Sequence, residues 1–229
     1  DPAWVDIVPG TPAWTDDGSL VRVVARDGAY RLMIGDEAAT PAGPGALNVR
    51  EVLDIGADVL FSATADDPAE LHVYAAGRGG VSRVSQQPGR HTAARSGGTL
   101  VLSSSSLGRL GTSVHVVHRG QDAGQIGSRA ENPVLTPEVT LLTAGEHQLR
   151  CALLLPRGHR PGSGPPLPVL LDPYGGPAAQ RVLASRNAYL VSQWLADQGF
   201  AVLIIDGRGT PGRGPDWDRL IQYDQATPN

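Results

Sequence analysis

Two short glycine-rich motifs contain the residues best suited to chemistry. Residues 170–177 read LLDPYGGP, and residues 205–214 read IDGRGTPGRG. Each motif begins in an apolar run typical of a buried strand, and open α/β sheets place their sites at the carboxyl ends of such strands. Asp206 and Arg208 are therefore candidates for substrate contact. We favour the alternative, a structural loop near the site in which Arg208 pairs with a carboxylate.

Tyr174 lies at the centre of the first motif and is followed by Gly175 and Gly176. Glycine adopts backbone conformations that are closed to other residues. The pair would let the chain turn sharply and bring its backbone close to a ligand. Taken alone, the pattern is typical of a tyrosine that packs at a strand end beside a turn.

Other chemistry is restricted by what the sequence lacks. All 19 basic residues are arginine, so Schiff-base, P-loop and Ser–Lys chemistry have no lysine to use. The six histidines show no metal-ligand spacing, and we expect structural or exposed roles for them and no metal site. Cys151 lies in an apolar strand pattern, which predicts a small buried hydrophobe. No cofactor is expected.

Composition and charge indicate the general class of protein. The 229 residues include 29 glycines and 19 prolines, a turn-rich composition that favours many short strands. The net charge of −4 and the absence of a basic run argue against nucleic acid or an acidic membrane surface as a partner. No apolar run approaches the roughly 18 residues of a membrane helix. Without a signal peptide at the N-terminus, we favour a cytoplasmic location.

Residues 1–130 are predicted to form successive short antiparallel strands. Two apolar runs at 20–25 and 30–34 flank Asp27 and Gly28, and Asp-Gly between such runs predicts a tight hairpin. Similar runs recur about every ten to twenty residues, with turn residues between them. This rhythm suits a sandwich, a barrel or propeller blades, and it does not choose among them.

The pattern changes near residue 131. A hairpin is predicted from runs at 138–143 and 148–155, followed by a strand at 168–172 that we expect to be covered on both faces. A helix over about 187–198, with an apolar stripe that includes Trp194 and an end at Gly199, leads to a strand at 200–205. Strand, helix, strand is the signature of an α/β unit.

The two motifs, in this order and with this helix between them, resemble the opening of the catalytic domain in the dipeptidyl peptidase IV group of the prolyl oligopeptidase family. The first part of the chain, with Trp14 to Gly18 before a strand, is similar to the closing blades of that family's β-propeller. The resemblance implies two regions. Residues 1–130 would be partial propeller blades, and residues 131–229 the N-terminal part of an α/β-hydrolase domain that stops before the nucleophile.

The resemblance also implies a function, a serine exopeptidase that releases dipeptides from peptide N-termini, often after proline or alanine. It assigns Tyr174 as the donor that stabilises the oxyanion of acyl transfer. Peptides are the expected partners, and a homodimer is an option. No Ser–Asp–His triad residue is assigned, because the sequence has no G-x-S-x-G and this motif should follow downstream. The chain alone should thus be inactive.

Two alternatives stay open at this point. One is an acylaminoacyl peptidase or esterase with the same architecture. The other is a non-enzymatic propeller-like binding module that carries the remnant of a hydrolase domain.

Overall fold

The computed structural model of this chain describes residues 7–162, 164–173 and 179–224. Within these ranges, three antiparallel four-stranded sheets follow one another along the chain. The first sheet contains β1 (Ala13–Trp14), β2 (Leu20–Arg26), β3 (Ala29–Ile34) and β4 (Glu37–Ala38). The second contains β5 (Asn48–Ile55), β6 (Val59–Thr64), β7 (His72–Gly77) and β8 (Gly80–Arg83). The third contains β9 (Arg90–Ser96), β10 (Thr99–Ser106), β11 (Arg109–His118) and β12 (Gln121–Ile126).

A fourth, C-terminal sheet has a different topology. Its strands are β13 (Val139–Ala144), β14 (Leu149–Leu154), β15 (Val169–Leu171) and β16 (Ala201–Asp206), in the spatial order β13-β14-β16-β15. β15 and β16 are parallel and are connected through a 3₁₀-helix (Arg186–Tyr189) and α1 (Leu190–Ala196). After β16 come α2 (Pro215–Asp218) and a second 3₁₀-helix (Arg219–Ile221). The predicted fold class, antiparallel blades followed by the start of an α/β unit, is confirmed.

Local turn chemistry explains the first hairpin. β2 and β3 pair with Arg26 opposite Ala29, so Asp27 and Gly28 form a two-residue turn. Both have positive φ, 53° and 75°, as the tight turns that match strand twist require. The hairpin predicted from Asp-Gly is therefore confirmed.

Two apolar clusters form the described core. The first lies between the first two sheets and includes Leu32, Val49 and Phe61. The second joins the C-terminal sheet to its crossover and includes Leu154, Tyr189 and Ile204. Cys151 is buried as predicted. The third sheet differs, since every residue of β10 is only half-buried.

The crossover helix does not bury the predicted apolar stripe. Its buried residues are Ser192, Gln193 and Ala196, whereas Val191 and Trp194 are 70% and 57% exposed. The Gln193 side chain can be buried because its amide donates to the Leu155 carbonyl (2.9 Å) and its oxygen accepts the Glu138 N–H (2.8 Å). Buried polar groups are tolerated when they are paired in this way.

The expectation that β15 is covered on both faces is also wrong. Val169 and Leu171 are 63% and 59% exposed, while Leu170 packs against the second cluster. Alternate residues of a strand point to opposite faces, so the face of Leu170 is covered, and among the described residues nothing covers the face of Val169 and Leu171.

The loop after β16 packs against the first two sheets. The Thr64 hydroxyl donates to the Gly212 carbonyl (2.7 Å), and the Tyr30 hydroxyl donates to Asp218 (2.8 Å). The Arg213 guanidinium lies 3.6 Å above the Trp217 ring and donates to the Gln148 carbonyl (3.1 Å). The bonds of Thr64 and Tyr30 attach the C-terminal part to the antiparallel sheets, and the contacts of Arg213 hold the loop to the C-terminal sheet itself.

Gly214 provides a test of this junction. It has φ of +97°, and a Cβ there would lie 2.8 Å from the Gly28 carbonyl oxygen. We expect Gly214→Ala to lower the free energy of unfolding by about 3 kcal/mol, from backbone strain plus the steric clash. Gly35→Ala is the matched control, since Gly35 has φ of +61° but open space around it, and it should cost only about 1–2 kcal/mol. Equal losses in chemical denaturation would contradict the close contact.

Candidate functional site

The ends of β15 and β16 lie side by side, as the sequence predicts. Leu171 pairs in register with Leu203, so Asp172 follows one strand while Asp206 ends the other. Tyr174, Gly175 and Gly176 lie outside the described residues. The geometry of the site is therefore given by the residues before and after them.

Asp206 is a structural residue of this site. It is 3% exposed, and its two carboxylate oxygens accept the backbone N–H groups of Arg181 (2.8 Å) and Val182 (3.0 Å). Burial raises the pKa of Asp206, while these two hydrogen bonds and the charges of Arg181 and Arg90 act in the opposite direction. Because its oxygens are occupied and out of solvent, Asp206 holds the chain rather than presenting itself to a ligand.

A second carboxylate holds the same segment from the side of β15. The guanidinium of Arg181 donates to both oxygens of Asp172, at 3.1 and 2.6 Å, the two-pronged geometry that makes arginine–carboxylate pairs specific. The Ser192 hydroxyl donates to the same carboxylate at 3.2 Å. Residues 172 and 181–182 are thus brought together, on either side of the segment that contains Tyr174.

The turn after β16 is shaped by close packing. The Thr210 hydroxyl donates to the Gly207 carbonyl at 2.8 Å, and a Cβ at Gly209 would lie 2.5 Å from the Ile221 side chain. Arg208 is half-buried in this turn. Its predicted pairing with a carboxylate stays a prediction.

Two residues of this region were missed by the sequence reasoning. One is Arg181, described above. The other is Tyr189, whose buried hydroxyl accepts the Leu183 N–H (2.7 Å) and donates to the Leu183 carbonyl (2.8 Å). Burial raises the pKa of Tyr189 to about 12. Its hydroxyl is thus used to shape the 181–184 segment, and no sequence motif marks either residue.

A serine, a histidine and a carboxylate do meet elsewhere, in the second sheet. His72 Nδ1 lies 3.0 Å from Ser85 Oγ, and His72 Nε2 lies 2.8 Å from a Glu70 oxygen. These distances are in the range expected for a nucleophile and its base. However, Ser85 is fully buried, and its Oγ also accepts the Val73 N–H (3.0 Å). A substrate has no access to this serine, so the cluster is structural.

The neighbouring His91 strengthens that interpretation. Its ring stacks on His72, with centroids 5.1 Å apart, and its nitrogens lie 2.7 Å from Ser104 Oγ and 2.8 Å from the Gln87 carbonyl. Burial is the main cause that lowers the pKa of His91. Across the described part of the chain, no group of three or more histidine, cysteine or acidic side chains could hold a metal ion.

A cleft of about 820 Å³ opens where the second and third sheets meet the C-terminal sheet. Its walls combine polar and apolar side chains, among them Glu70, Gln87, His115, Leu102 and Leu141. Concave sites of this size with a few polar groups are typical of ligand binding. No helix in the described ranges is long and apolar enough to cross a membrane.

Comparison with known proteins identifies related folds. Residues 187–228 match the model of the prolyl oligopeptidase family of peptidases. Dipeptidyl peptidase 4 from Porphyromonas gingivalis superposes with a TM-score of 0.75 at 24% identity, over 91% of this chain and 32% of that one. A candidate dipeptidyl aminopeptidase IV from Bacteroides ovatus gives 0.75 at 19% identity, over 96% and 36%. The chain spans about a third of the length of these structures.

The buried carboxyl group of Asp206 predicts a specific pH dependence. Its pKa is raised above 3.8, so the native state holds this proton more tightly than the unfolded chain. The group contributes stability that is fully present below pH 3.8 and lost as the pH rises through the raised pKa. Asp206→Asn removes this titration, so the unfolding free energy of the wild type minus that of the variant should fall as the pH rises above 3.8.

The measurement is chemical denaturation at several pH values. Asp36→Asn is the matched control, since the Asp36 side chain is fully exposed, and it should leave the wild-type pH profile intact. A difference that grows with pH for Asp206→Asn would show that this carboxylate is instead stabilised in its charged form.

Proposed function

We propose that this chain, whose residues 187–228 match the model of the prolyl oligopeptidase family, is part of a serine exopeptidase that releases dipeptides from peptide N-termini, with a preference for proline or alanine before the cleaved bond. The observation that carries the proposal is the match between residues 187–228 and the family model. These residues comprise α1, β16 and the loop after β16, the elements that position the candidate site. The fold shared with two dipeptidyl peptidase IV-type structures supports it.

In this proposal the chain combines two functional regions. Residues 1–130 are closing blades of a β-propeller, and residues 131–229 begin the α/β-hydrolase domain. The cleft between the second, third and C-terminal sheets would then border the space in which a peptide is held. Its mixed polar and apolar walls suit a peptide, which has both kinds of group.

Tyr174 is the proposed oxyanion donor. Acyl transfer places negative charge on the carbonyl oxygen of the scissile bond, and a positioned hydroxyl lowers the energy of that state. Support comes from the residues on either side. Asp172 is bonded to Arg181, and Asp206 is bonded to the N–H groups of Arg181 and Val182, so described residues before and after Tyr174 in the sequence are tied to each other.

The nucleophilic serine is proposed to come from another part of the full-length protein. The sequence of this chain has no G-x-S-x-G, the motif that presents the serine in hydrolases of this fold. The exposed apolar residues of β15, Val169 and Leu171, favour a further element packed against this edge of the sheet, because an open apolar edge strand is a liability.

A serine-directed fluorophosphonate probe tests whether the nucleophilic serine lies outside this chain, in another part of the full-length protein. We expect covalent labelling of the full-length protein and none of the 229-residue chain. Cleavage of Gly-Pro-anilide by the full-length protein, with little cleavage of N-acetylated aminoacyl anilides, is the expected specificity. The reverse preference would indicate an acylaminoacyl peptidase. Labelling of the 229-residue chain would refute the placement of the nucleophile, and an unlabelled full-length protein would favour a binding module.

The role of Tyr174 is tested by removing its hydroxyl. In the full-length protein, Tyr174→Phe should lower kcat by about 100- to 1000-fold with little change in KM, because the lost hydrogen bond is made mainly in the transition state. Tyr223→Phe is the matched control, since Tyr223 is 92% exposed, and it should retain wild-type kcat. An unchanged kcat in Tyr174→Phe would exclude this residue as the oxyanion donor.

A further inference from the structure

Arg90 lines a small pocket on the third sheet that the proposed function does not use. Arg90 is the first residue of β9 and pairs with Ser105 of β10. The pocket has a volume of about 260 Å³. Leu71, Arg90 and His91 line it, and the other five lining residues each carry a hydroxyl group, namely Thr92, Ser103, Ser104, Ser105 and Thr112.

The charge of Arg90 has no close counter-charge in the described part of the chain. Its Nη1 donates to the Ala69 carbonyl at 3.3 Å, and none of the ion pairs found within 4.0 Å between described residues includes it. Arg95, five residues along the same strand, is paired with Asp54 at 2.7 Å and also with Asp58. The contrast within one strand makes Arg90 unusual, because a half-buried cation normally has an anionic partner.

The electrostatic surroundings of Arg90 also indicate that its positive charge is poorly compensated. Burial is the main cause that lowers the pKa of Arg90, and the charge of Arg50 lowers it further. Tyr189 and Asp206 raise the pKa of Arg90, and both act from farther away than an ion-pair partner would. Arg50 is the extra residue of a β-bulge in β5, between the paired residues Val49 and Glu51, and bulges redirect side chains. Two like charges are thus held near each other.

We propose that the Arg90 pocket binds a small oxyanion, either a carboxylate or a phosphate group. A guanidinium offers parallel N–H donors that match both groups. The hydroxyls of Thr92, Ser103 and Thr112 can donate further hydrogen bonds to the same oxygens. A bound anion would also supply the counter-charge that Arg90 lacks.

Arg90 is linked through one carbonyl group to the crossover of the C-terminal sheet, which gives binding a structural consequence. The Ala69 carbonyl that accepts from Arg90 also accepts the N–H of Ala184 (2.9 Å), and Ala184 follows the segment held by Asp206. An anion on Arg90 would therefore stabilise the contacts by which the Ala69 carbonyl joins the third sheet to the crossover of the C-terminal sheet. This inference does not require peptidase activity, so it can fail or succeed independently of the proposed function.

The test is titration of the full-length protein with inorganic phosphate and, separately, with succinate, at constant ionic strength set by chloride. Calorimetry and thermal unfolding should show saturable binding and a rise in Tm, since a ligand that binds only the native state stabilises it. The stronger of the two ligands identifies the preferred anion. Arg90→Gln should weaken that binding by at least about tenfold, because it removes the charged donors.

Arg109→Gln is the matched control, an exposed arginine of the same sheet, and it should bind as the wild type does. If Arg90→Gln does not fold, Ser103→Ala combined with Thr112→Val keeps the arginine and should weaken binding by about threefold or more. The proposal is overturned if neither anion binds saturably to the wild type. It is also overturned if binding persists unchanged in Arg90→Gln or, where that variant does not fold, in the hydroxyl variant.

Discussion

The carboxylate of Asp206 is the interaction on which the geometry of the candidate site depends. It ends β16, is buried, and accepts the N–H groups of two consecutive residues, Arg181 and Val182. Since those two residues come before the crossover helices in the chain, one side chain ties the entry to the crossover to the end of β16. Arg181 then extends this connection to Asp172 through its guanidinium. The polar network thus joins both strand ends, and at its buried end, Asp206, hydrogen bonds are strong and unpaired groups are costly.

The same region is attached to the antiparallel sheets by small residues in tight contacts. Gly212 and Gly214 both have positive φ; Gly212 lies against Thr64 and Pro68, and at Gly214 a Cβ would be too close to the Gly28 carbonyl oxygen. Their size lets the loop after β16 lie directly on the first two sheets. The candidate site is thus held against those sheets, and the cleft beside it has walls from three sheets.

The arrangement also explains why chemically suggestive residues differ in accessibility. The serine, histidine and carboxylate at Ser85, His72 and Glu70 have distances suited to proton transfer, yet Ser85 is sealed from solvent. Arg90, by contrast, faces a pocket and lacks a close counter-charge. Access and charge compensation, more than residue type, separate a structural cluster from a candidate binding site.

The sequence by itself determined what depends on neighbours along the chain. Asp27 and Gly28 gave the hairpin, because positive φ is a local preference. The apolar runs before Asp172 and Asp206 gave two parallel strands with a helix between them, and the two motifs gave the family resemblance that residues 187–228 bear out. Only the tertiary structure decided that Asp206 is buried, that Trp194 and Leu171 are exposed, and that Arg90 lacks a close ion-pair partner while Arg95 has two. Burial and pairing depend on residues tens of positions apart in the sequence, and local patterns carry no information about which of them meet.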